Sequence, residues 1–538
     1  MTESKEAQGA ILPDEPSTPP TRPSVRQSLR GYFRGLGAAR RGLLLVLFLA
    51  VATRLGYAFS RSLVLDEFHS YYHATAANWD AFLEGLYRDN HPPLSFLVIG
   101  AAASAFGRAE WALRSPAFLF GLLEIALVAS WAGSLVRRSE EEPRGSAWSR
   151  AHAPIWAAAM LAASTLHFDY GTQARMYAGL SLCVTIATYA AMTMLVRDDE
   201  ETGGQPMLGA TLAFAFAAAA AFHMHYFAIQ YFGVLTGAFV VVALVTGKWV
   251  ALSMYSIAAF VAFVASLPWA VTGFFHQLRH NLPPGGDDVR FQSLGEAFVQ
   301  LFFHNIRFGG PIGRIAFIGG AGLVLLIALR GLGLALASKK LRAPVLLMAT
   351  TAFAVPVLSW AVALYVPRAG FTWHYVLPSA GAMAVLFALG ARGRVAGAIA
   401  AVPLFLATVL VALHLANPAT EDFRGAVAHA LEKVKTAPSE EVTRVISVEW
   451  QPALFPQGQP WDYYAPRLAS GTPPEREPML EGKFTVQSVE RLDDADRVIV
   501  ICRSMPGNQH LMQVLRKRFP QHTSTPFGFG LDVLVYTR

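Results

Sequence analysis

Residues 63–73 read "LVLDEFHSYYH" and set two adjacent carboxylates, Asp66 and Glu67, beside His69 and paired tyrosines, directly after a long apolar run. A carboxylate in that setting can take a proton from a hydroxyl group. Four further stretches put polar groups next to apolar segments. "RDNHPPL" brings Asp89 and His91, and "HFDYGTQARMY" brings His167, Asp169, Gln173, Arg175 and Tyr177. "FHMHYF" brings His223, His225 and Tyr226, and "PRAGFTWHY" brings Arg368, His374 and Tyr375. Arginine can grip a phosphate with two parallel hydrogen bonds. Histidine can hold an anion or ligate a metal, and tyrosines can line a sugar or an isoprenoid. Such a set suits transfer of a group away from an anionic leaving group. Charged groups cost about 2.5–3.5 kcal/mol each at the bilayer centre, so their recurrence beside apolar runs points to a site.

The chain that must position them has 538 residues, 54% hydrophobic and only 15% charged, with a mean hydropathy of +0.37. Soluble domains carry roughly a quarter charged residues. The deficit lies in long apolar runs of the kind that span a bilayer, so the fold class is a polytopic α-helical membrane protein. The first span is expected at 42–60, and later runs centre at roughly residues 99, 125, 160, 185, 214, 236, 262, 324, 354, 381 and 405. That amounts to about 11–13 transmembrane helices. The net charge of +7 is no nucleic-acid signature, because the arginines gather beside apolar segments, where they orient helices. Residues 1–24 are rich in Pro, Ser, Thr and Glu, are expected to be disordered, and are too polar for a signal peptide. Arg26, Arg30, Arg34, Arg40 and Arg41 form a basic interfacial segment, making 1–41 a cytoplasmic N-terminal segment. The two cysteines, Cys183 and Cys502, build no disulfide framework.

Were every run to cross once, "VRRSEEEPRGSAWSR" and "SKKLR" would fall outside, against the positive-inside rule. One net crossing by residues 92–136, partly re-entrant or in-plane, removes the conflict. Arg137, Arg138, Arg197, Lys248, Lys339, Lys340, Arg342, Arg392 and Arg394 then face the cytoplasm. Loops at 61–91, 169–174, 223–226, 276–312 and 366–374 face the other side, together with the C-terminal region. Within 276–312, "FQSLGEAFVQLFFH" carries Phe291, Leu294, Phe298, Leu301 and Phe302 on one helical face and is expected along the membrane surface as a lid. Residues 417–538 read as a small α/β domain. Its amphipathic helix is "FRGAVAHALEKVK", its strands are "TRVISVEW", "DRVIVICR" and "LDVLVYT", and a second helix lies near "NQHLMQVLRKRF". It has no glycine-rich phosphate loop, and the chain shows no internal repeat.

The motif order resembles the bacterial branch of the GT-C glycosyltransferases, the family of dolichyl-phosphate-mannose-protein mannosyltransferases and the aminoarabinose transferase of lipid A. The matching pieces are "LDEFHSYYH", "NHPPLSFL", "EWALRSPAFLFG", "HFDYGTQARMYAGL", "HMHYFAIQYF", "WHYVLP" and "TEDFRGAVAHALEKVK", in order along the chain. The resemblance implies a transmembrane glycosyltransferase domain at 42–416 followed by a periplasmic α/β domain at 417–538. It implies inverting transfer of a sugar from a polyprenyl-phosphate donor to a lipid, glycan or protein acceptor, on the outer face of a bacterial inner membrane, with no nucleic acid involved. By position, Asp66 matches the catalytic base, with Glu67 its companion. Asp89 and His91 match the positions before "PPL", where some relatives carry a phosphate-holding lysine. Arg175 and Tyr177 match the "QAR-Y" positions, and His225, Tyr226 and His374 complete the expected substrate-binding set. Some relatives bind a divalent metal ion near this site; the histidines permit one, but no ligand spacing demands it.

Blander roles stand beside these. Arg175 could anchor a helix end at the headgroups, and His374 beside Trp373 could belong to an aromatic belt. His223, two residues from His225, cannot share its helical face and is expected to pack. Asp169 could cap a helix. A rival function is a transporter or flippase of a lipid-linked glycan, and a third is a non-catalytic scaffold.

Overall fold

In a bilayer an apolar run becomes a helix because no water is present to take its backbone N–H and C=O groups. The computed structural model describes residues 37–139, 147–197, 205–280, 291–304, 310–365, 371–416, 421–447, 459–474, 476–477, 492–503, 509–528 and 530–538. Arg26, Arg30, Arg34 and Arg368 lie outside the described residues. Among the described residues, ten helices are long and apolar enough to cross a membrane: Ala38–Ser60, Glu110–Arg138, Tyr177–Arg197, Met207–Met224, Ala228–Thr246, Trp249–His280, Gly310–Ala337, Arg342–Tyr365, Trp373–Gly390 and Arg394–Ala416. Two shorter apolar helices, Leu94–Phe106 and His152–Ala163, account for the remaining expected runs. Phe216, Val245, Ile312 and Phe405 stand exposed on the outside of the bundle, as a lipid-facing wall requires.

Leu94–Phe106 has 13 residues, or about 20 Å of helix against the roughly 30 Å of a hydrocarbon core. Both of its flanks return to one end of the bundle. The Tyr464 hydroxyl accepts from Leu63 N and donates to Glu110 Oε1, both at 2.7 Å, and the Tyr463 hydroxyl donates to the Arg108 carbonyl at 2.7 Å. Leu63, Arg108 and Glu110 therefore lie together, and within 92–136 only the helix starting at Glu110 leads to the far end. This matches the single net crossing that the basic clusters ask for.

The last part of the bundle is packed backbone to backbone. A Cβ on Gly331 would collide with the Leu386 carbonyl, and one on Gly390 with the Ile327 carbonyl. Gly331→Ala and Gly390→Ala are each expected to lower stability by about 1–3 kcal/mol or more, read as a fall in melting temperature in detergent.

Two expected features differ in detail. A π-helical turn at Ala270–Phe274 carries the preceding helix on to His280, so the outer segment begins after 280, not at 276. The helix Phe291–Phe302 does not lie free as a surface lid. Ala297, Leu301 and Phe302 are buried, and Ser164 Oγ donates to the Leu301 carbonyl at 2.6 Å, capping one of the open carbonyls of its last turn.

The C-terminal region holds a five-stranded sheet, with β1 Thr443–Ser447, β2 Arg476–Glu477, β3 Arg497–Arg503, β4 Gln521–Pro526 and β5 Leu531–Thr537, in the order β2-β1-β3-β5-β4. β1 runs parallel to β2 and β3, while β5 is antiparallel to β3 and β4. The strands read from apolar runs are β1, β3 and β5, and the helices Phe423–Lys435 and Gln509–Arg518 fall where expected. The helix Pro460–Leu468 is an addition. It packs Tyr463 and Tyr464 edge-on against Phe68 at 5.9 and 6.0 Å, which joins the sheet region to the segment following the first span.

Candidate active site

The helix Leu65–Ala74 carries the two acids in its first turn, where backbone N–H groups lack partners and negative charge is favoured. Its N–H groups are satisfied from two sources. Glu67 Oε2 reaches back to Val64 N at 3.0 Å, and Glu421, from the C-terminal region, accepts from Leu65 N at 2.9 Å. Glu67 is fully buried. Arg114 Nε and Nη2 grip its two oxygens at 2.8 and 2.7 Å, and Ala174 N adds a bond of 2.8 Å. All four of its acceptor positions are thus taken. Arg114 uses its remaining N–H groups on the carbonyls of Ala58, Arg61 and Ser62. Burial alone would raise the Glu67 carboxyl, but Arg114, Arg61 and the Ala174 amide outweigh it and hold the group far below the usual carboxylate range. Asp66, one residue earlier, is exposed. The expected pair therefore divides, with one carboxylate locked inside and the other exposed.

Arg175 lies on the turn after Tyr170, where its own N–H bonds to the Gln173 carbonyl at 2.7 Å. Its Nη1 donates to the Asp66 carbonyl at 3.1 Å and to His69 Nδ1 at 2.9 Å. Its Nε is buried and finds no hydrogen-bond partner among the described residues. Asp66 lies near enough to Arg175, Tyr170, Tyr177 and His374 for its charge to act on all four, so these groups belong to one cluster. Tyr177 sits at its centre, 4.9 Å from the His374 ring, 5.6 Å from His225 and 4.6 Å from Tyr170. His225 Nδ1 accepts from Phe227 N at 3.1 Å, which leaves its proton on Nε2 as a donor. His223 instead lies 3.5 Å from the Ala265 carbonyl, away from this group.

Asp89 ends the helix Trp79–Arg88 and is the hub of the other wall. Its Oδ2 lies 3.1 Å from His69 Nε2 and 3.2 Å from His73 Nε2, and its Oδ1 lies 3.2 Å from His91 Nδ1 and 2.7 Å from Asn90 N. Burial holds His69 and His91 below the usual imidazole range although the Asp89 charge works the other way, so both are neutral near pH 7. The His91 ring reaches to 5.8 Å from His225. Tyr226 stands apart from the Asp66 side. Its hydroxyl donates to Gln277 Oε1 and accepts from Trp269 Nε1, while Gln277 holds the Leu86 and His91 carbonyls, so it braces the His91 segment.

His69, His73 and Asp89 converge closely enough to suggest a cation site. Ligand atoms on a tetrahedral zinc ion with bonds of about 2.0–2.1 Å would sit about 3.3–3.4 Å apart, near the 3.1 and 3.2 Å found. Proton placement opposes that fit. Arginine can only donate, so the Arg175 contact makes His69 Nδ1 the acceptor and puts the ring proton on Nε2, where a metal would need a bare lone pair. With that tautomer the His69 ring proton lies on the Asp89 side, 3.1 Å from Oδ2.

A second buried polar chain runs into the bundle. Arg54 Nη2 meets His167 Nδ1 at 3.1 Å, and His167 Nε2 lies 3.3 Å from Glu124, which accepts from Ser181 and Thr185 at 2.9 and 2.8 Å. Asp169 turns its carboxylate toward His304 and His414, at 3.6 and 3.7 Å. Of the residues that the motifs leave without a role, His73 has a readable signal, four positions from His69 on one helix. Arg114, His304 and His414 are single polar residues in apolar surroundings, and no spacing singles them out.

No family model and no curated protein matches this chain. Among solved structures it is similar to ArnT from Cupriavidus metallidurans in the apo state, at 16% identity over 94% of this chain and 98% of that chain, with a TM-score of 0.43. The same protein bound to undecaprenyl phosphate gives 15% identity over 94% and 98%, with a TM-score of 0.42. The archaeal oligosaccharyltransferase AglB from Archaeoglobus fulgidus, in complex with an inhibitory peptide and a dolichol-phosphate, gives 12% identity over 89% of this chain and 70% of that chain, with a TM-score of 0.44.

Proposed function

We propose that this chain is a membrane-embedded inverting glycosyltransferase of the GT-C type, moving a sugar from a polyprenyl-phosphate donor to a lipid, glycan or protein acceptor on the outer face of a bacterial inner membrane. The observation that supports this most is the exposed Asp66 beside a buried arginine, whose Nη1 meets the Asp66 carbonyl at 3.1 Å and whose Nε–H lacks a partner among the described residues. A buried unpartnered donor is costly and invites an anionic ligand.

In this reading Asp66 takes the proton of the acceptor hydroxyl as that oxygen bonds to the anomeric carbon. The bond from the anomeric carbon to the phosphate oxygen breaks on the opposite face, and its electron pair leaves with the polyprenyl phosphate. Arg175, the Nε2–H of His225 and the Tyr177 hydroxyl stabilise that departing charge. His91 and His374 line the phosphate and sugar side, and Tyr226 braces His91. Glu67 is a positioning residue, because its acceptor positions are taken.

The test is transfer of a labelled sugar from a synthetic polyprenyl-phosphate donor by the purified protein in vesicles. Arg175→Lys keeps the charge but loses the planar fork, and it is expected to lower turnover by about 10²-fold. Movement of the labelled lipid across the vesicle wall with no sugar transferred would overturn the enzyme in favour of a flippase.

A further inference from the structure

Arginine has no lone pair to offer, so the 2.9 Å contact between Arg175 Nη1 and His69 Nδ1 has one polarity only. The guanidinium donates, Nδ1 accepts, and the single proton of the neutral ring lies on Nε2, 3.1 Å from Asp89 Oδ2. A second proton would set a ring N–H against a guanidinium N–H at the same 2.9 Å, two like charges without water between them. Among the described residues, the groups that face the ring include Arg175 from the turn after Tyr170, His73 on its own helix, and Asp89, His91 and Phe96 from the segment that follows. Of these Asp89 is the acid, and its second oxygen is held by His91 Nδ1 and Asn90 N at 3.2 and 2.7 Å, which keeps the carboxylate against His69.

Resting on the proposed phosphate role of Arg175, we infer that His69 is its positioning residue: a neutral imidazole, oriented by Asp89, that accepts from Nη1 and so holds the guanidinium in place beside Asp66. Nη1 is caught twice, by His69 and by the Asp66 carbonyl, and two anchors on one nitrogen fix the plane of the group. The fold builds the same three-part brace elsewhere. Arg54 donates to His167 Nδ1, and His167 turns Nε2 to Glu124, with all three side chains buried. Catalysis that depends on an arginine suffers when the group shifts by even 1 Å, at a cost of about 10²-fold.

The two ring nitrogens can be replaced one at a time. Asparagine at position 69 puts its Oδ1 near the place of Nδ1 and keeps an acceptor for Arg175. Glutamine puts its Nε2 near the place of the ring Nε2, keeping the contact to Asp89 but losing the acceptor. The assay uses purified full-length protein, a labelled polyprenyl-phosphate sugar donor and, as a separate measurement, binding of the bare polyprenyl phosphate. His69→Asn is expected to keep turnover within about tenfold of wild type, and His69→Gln to lose about 10²-fold, with a raised KM for the donor and an unchanged KM for the acceptor. Wild-type activity should fall on the acid side as the ring gains its second proton, and that limb should be absent from the profile of His69→Asn. His69→Leu, which offers no acceptor, replaces either variant if it melts early, and full activity in it overturns the inference. Equal activity in the Asn and Gln variants also overturns it. So does stoichiometric bound metal in the wild type that is lost in His73→Gln, because a metal needs the bare Nε2. Wild-type protein that neither binds the polyprenyl phosphate nor transfers sugar removes the proposed function itself, and the positioning role with it.

Discussion

Asp66→Asn is expected to lower sugar transfer by about 10²–10⁴-fold with an unchanged melting temperature. Removing a general base costs that much when the neighbouring carboxylates cannot stand in for it, and among the described residues Glu67 and Asp89 cannot. Glu67 has all its acceptor positions filled by Arg114, Val64 N and Ala174 N. Asp89 is ringed by His69, His73, His91 and Asn90 N. The melting temperature should hold because Asp66 is exposed and anchors Arg175 only through its backbone carbonyl, which the substitution keeps. Donor binding should persist in the variant, since the phosphate-facing groups are untouched. Transfer at wild-type rates would move the base elsewhere.

Glu67→Gln should do the reverse, unfolding the protein before it reports on chemistry. The change leaves Arg114 charged and fully buried, with its carboxylate partner gone. Removing one member of such a pair costs about 3–5 kcal/mol, most of it from the stranded charge. Denaturant unfolding should show that loss, and pairing the change with Arg114→Met should recover much of it. The wild type carries a pH signature of the same contact. The folded Glu67 carboxyl is pushed down to about 2, against its higher unfolded value. Its stabilisation is therefore complete above the unfolded carboxylate range, around 4.3, and fades as pH falls through that value toward the folded one. Glu67→Gln should lack that step in an acid melting series. A variant as stable as wild type would make the buried pair incidental.

The membrane helices were legible because one physical requirement, backbone satisfaction without water, writes itself as continuous apolar runs. The short Leu94–Phe106 could be identified only by counting where the basic clusters must lie, and the tyrosine contacts at Arg108 and Glu110 carry its reason. Asp66, Arg175, Tyr177, His225 and His374 could be gathered because each sits where an apolar run ends, and the folded chain brings them near one another. The support behind them was hidden. Arg114 reads as one more helix arginine, since its partner Glu67 stands 47 positions away and no period links them. β4 escaped notice for a different cause: "QHTSTP" is exposed at every position but Thr525 and shows no apolar alternation. His69 and His91 could be seen as site candidates, but their tautomers depend on Arg175 and Asp89, which meet them only in the folded chain.

The hydroxyl and carboxylate that seat the Asp66 helix come from Tyr464 and Glu421, 401 and 356 positions downstream of the amides they hold. A nascent chain can therefore have all its spans threaded through the translocon while the turn bearing Asp66 still has loose amides. The proposed activity is born last, once the C-terminal region has emerged and docked. A message truncated after the final span would yield an inserted but inert protein, one that cannot drain the pool of activated lipid.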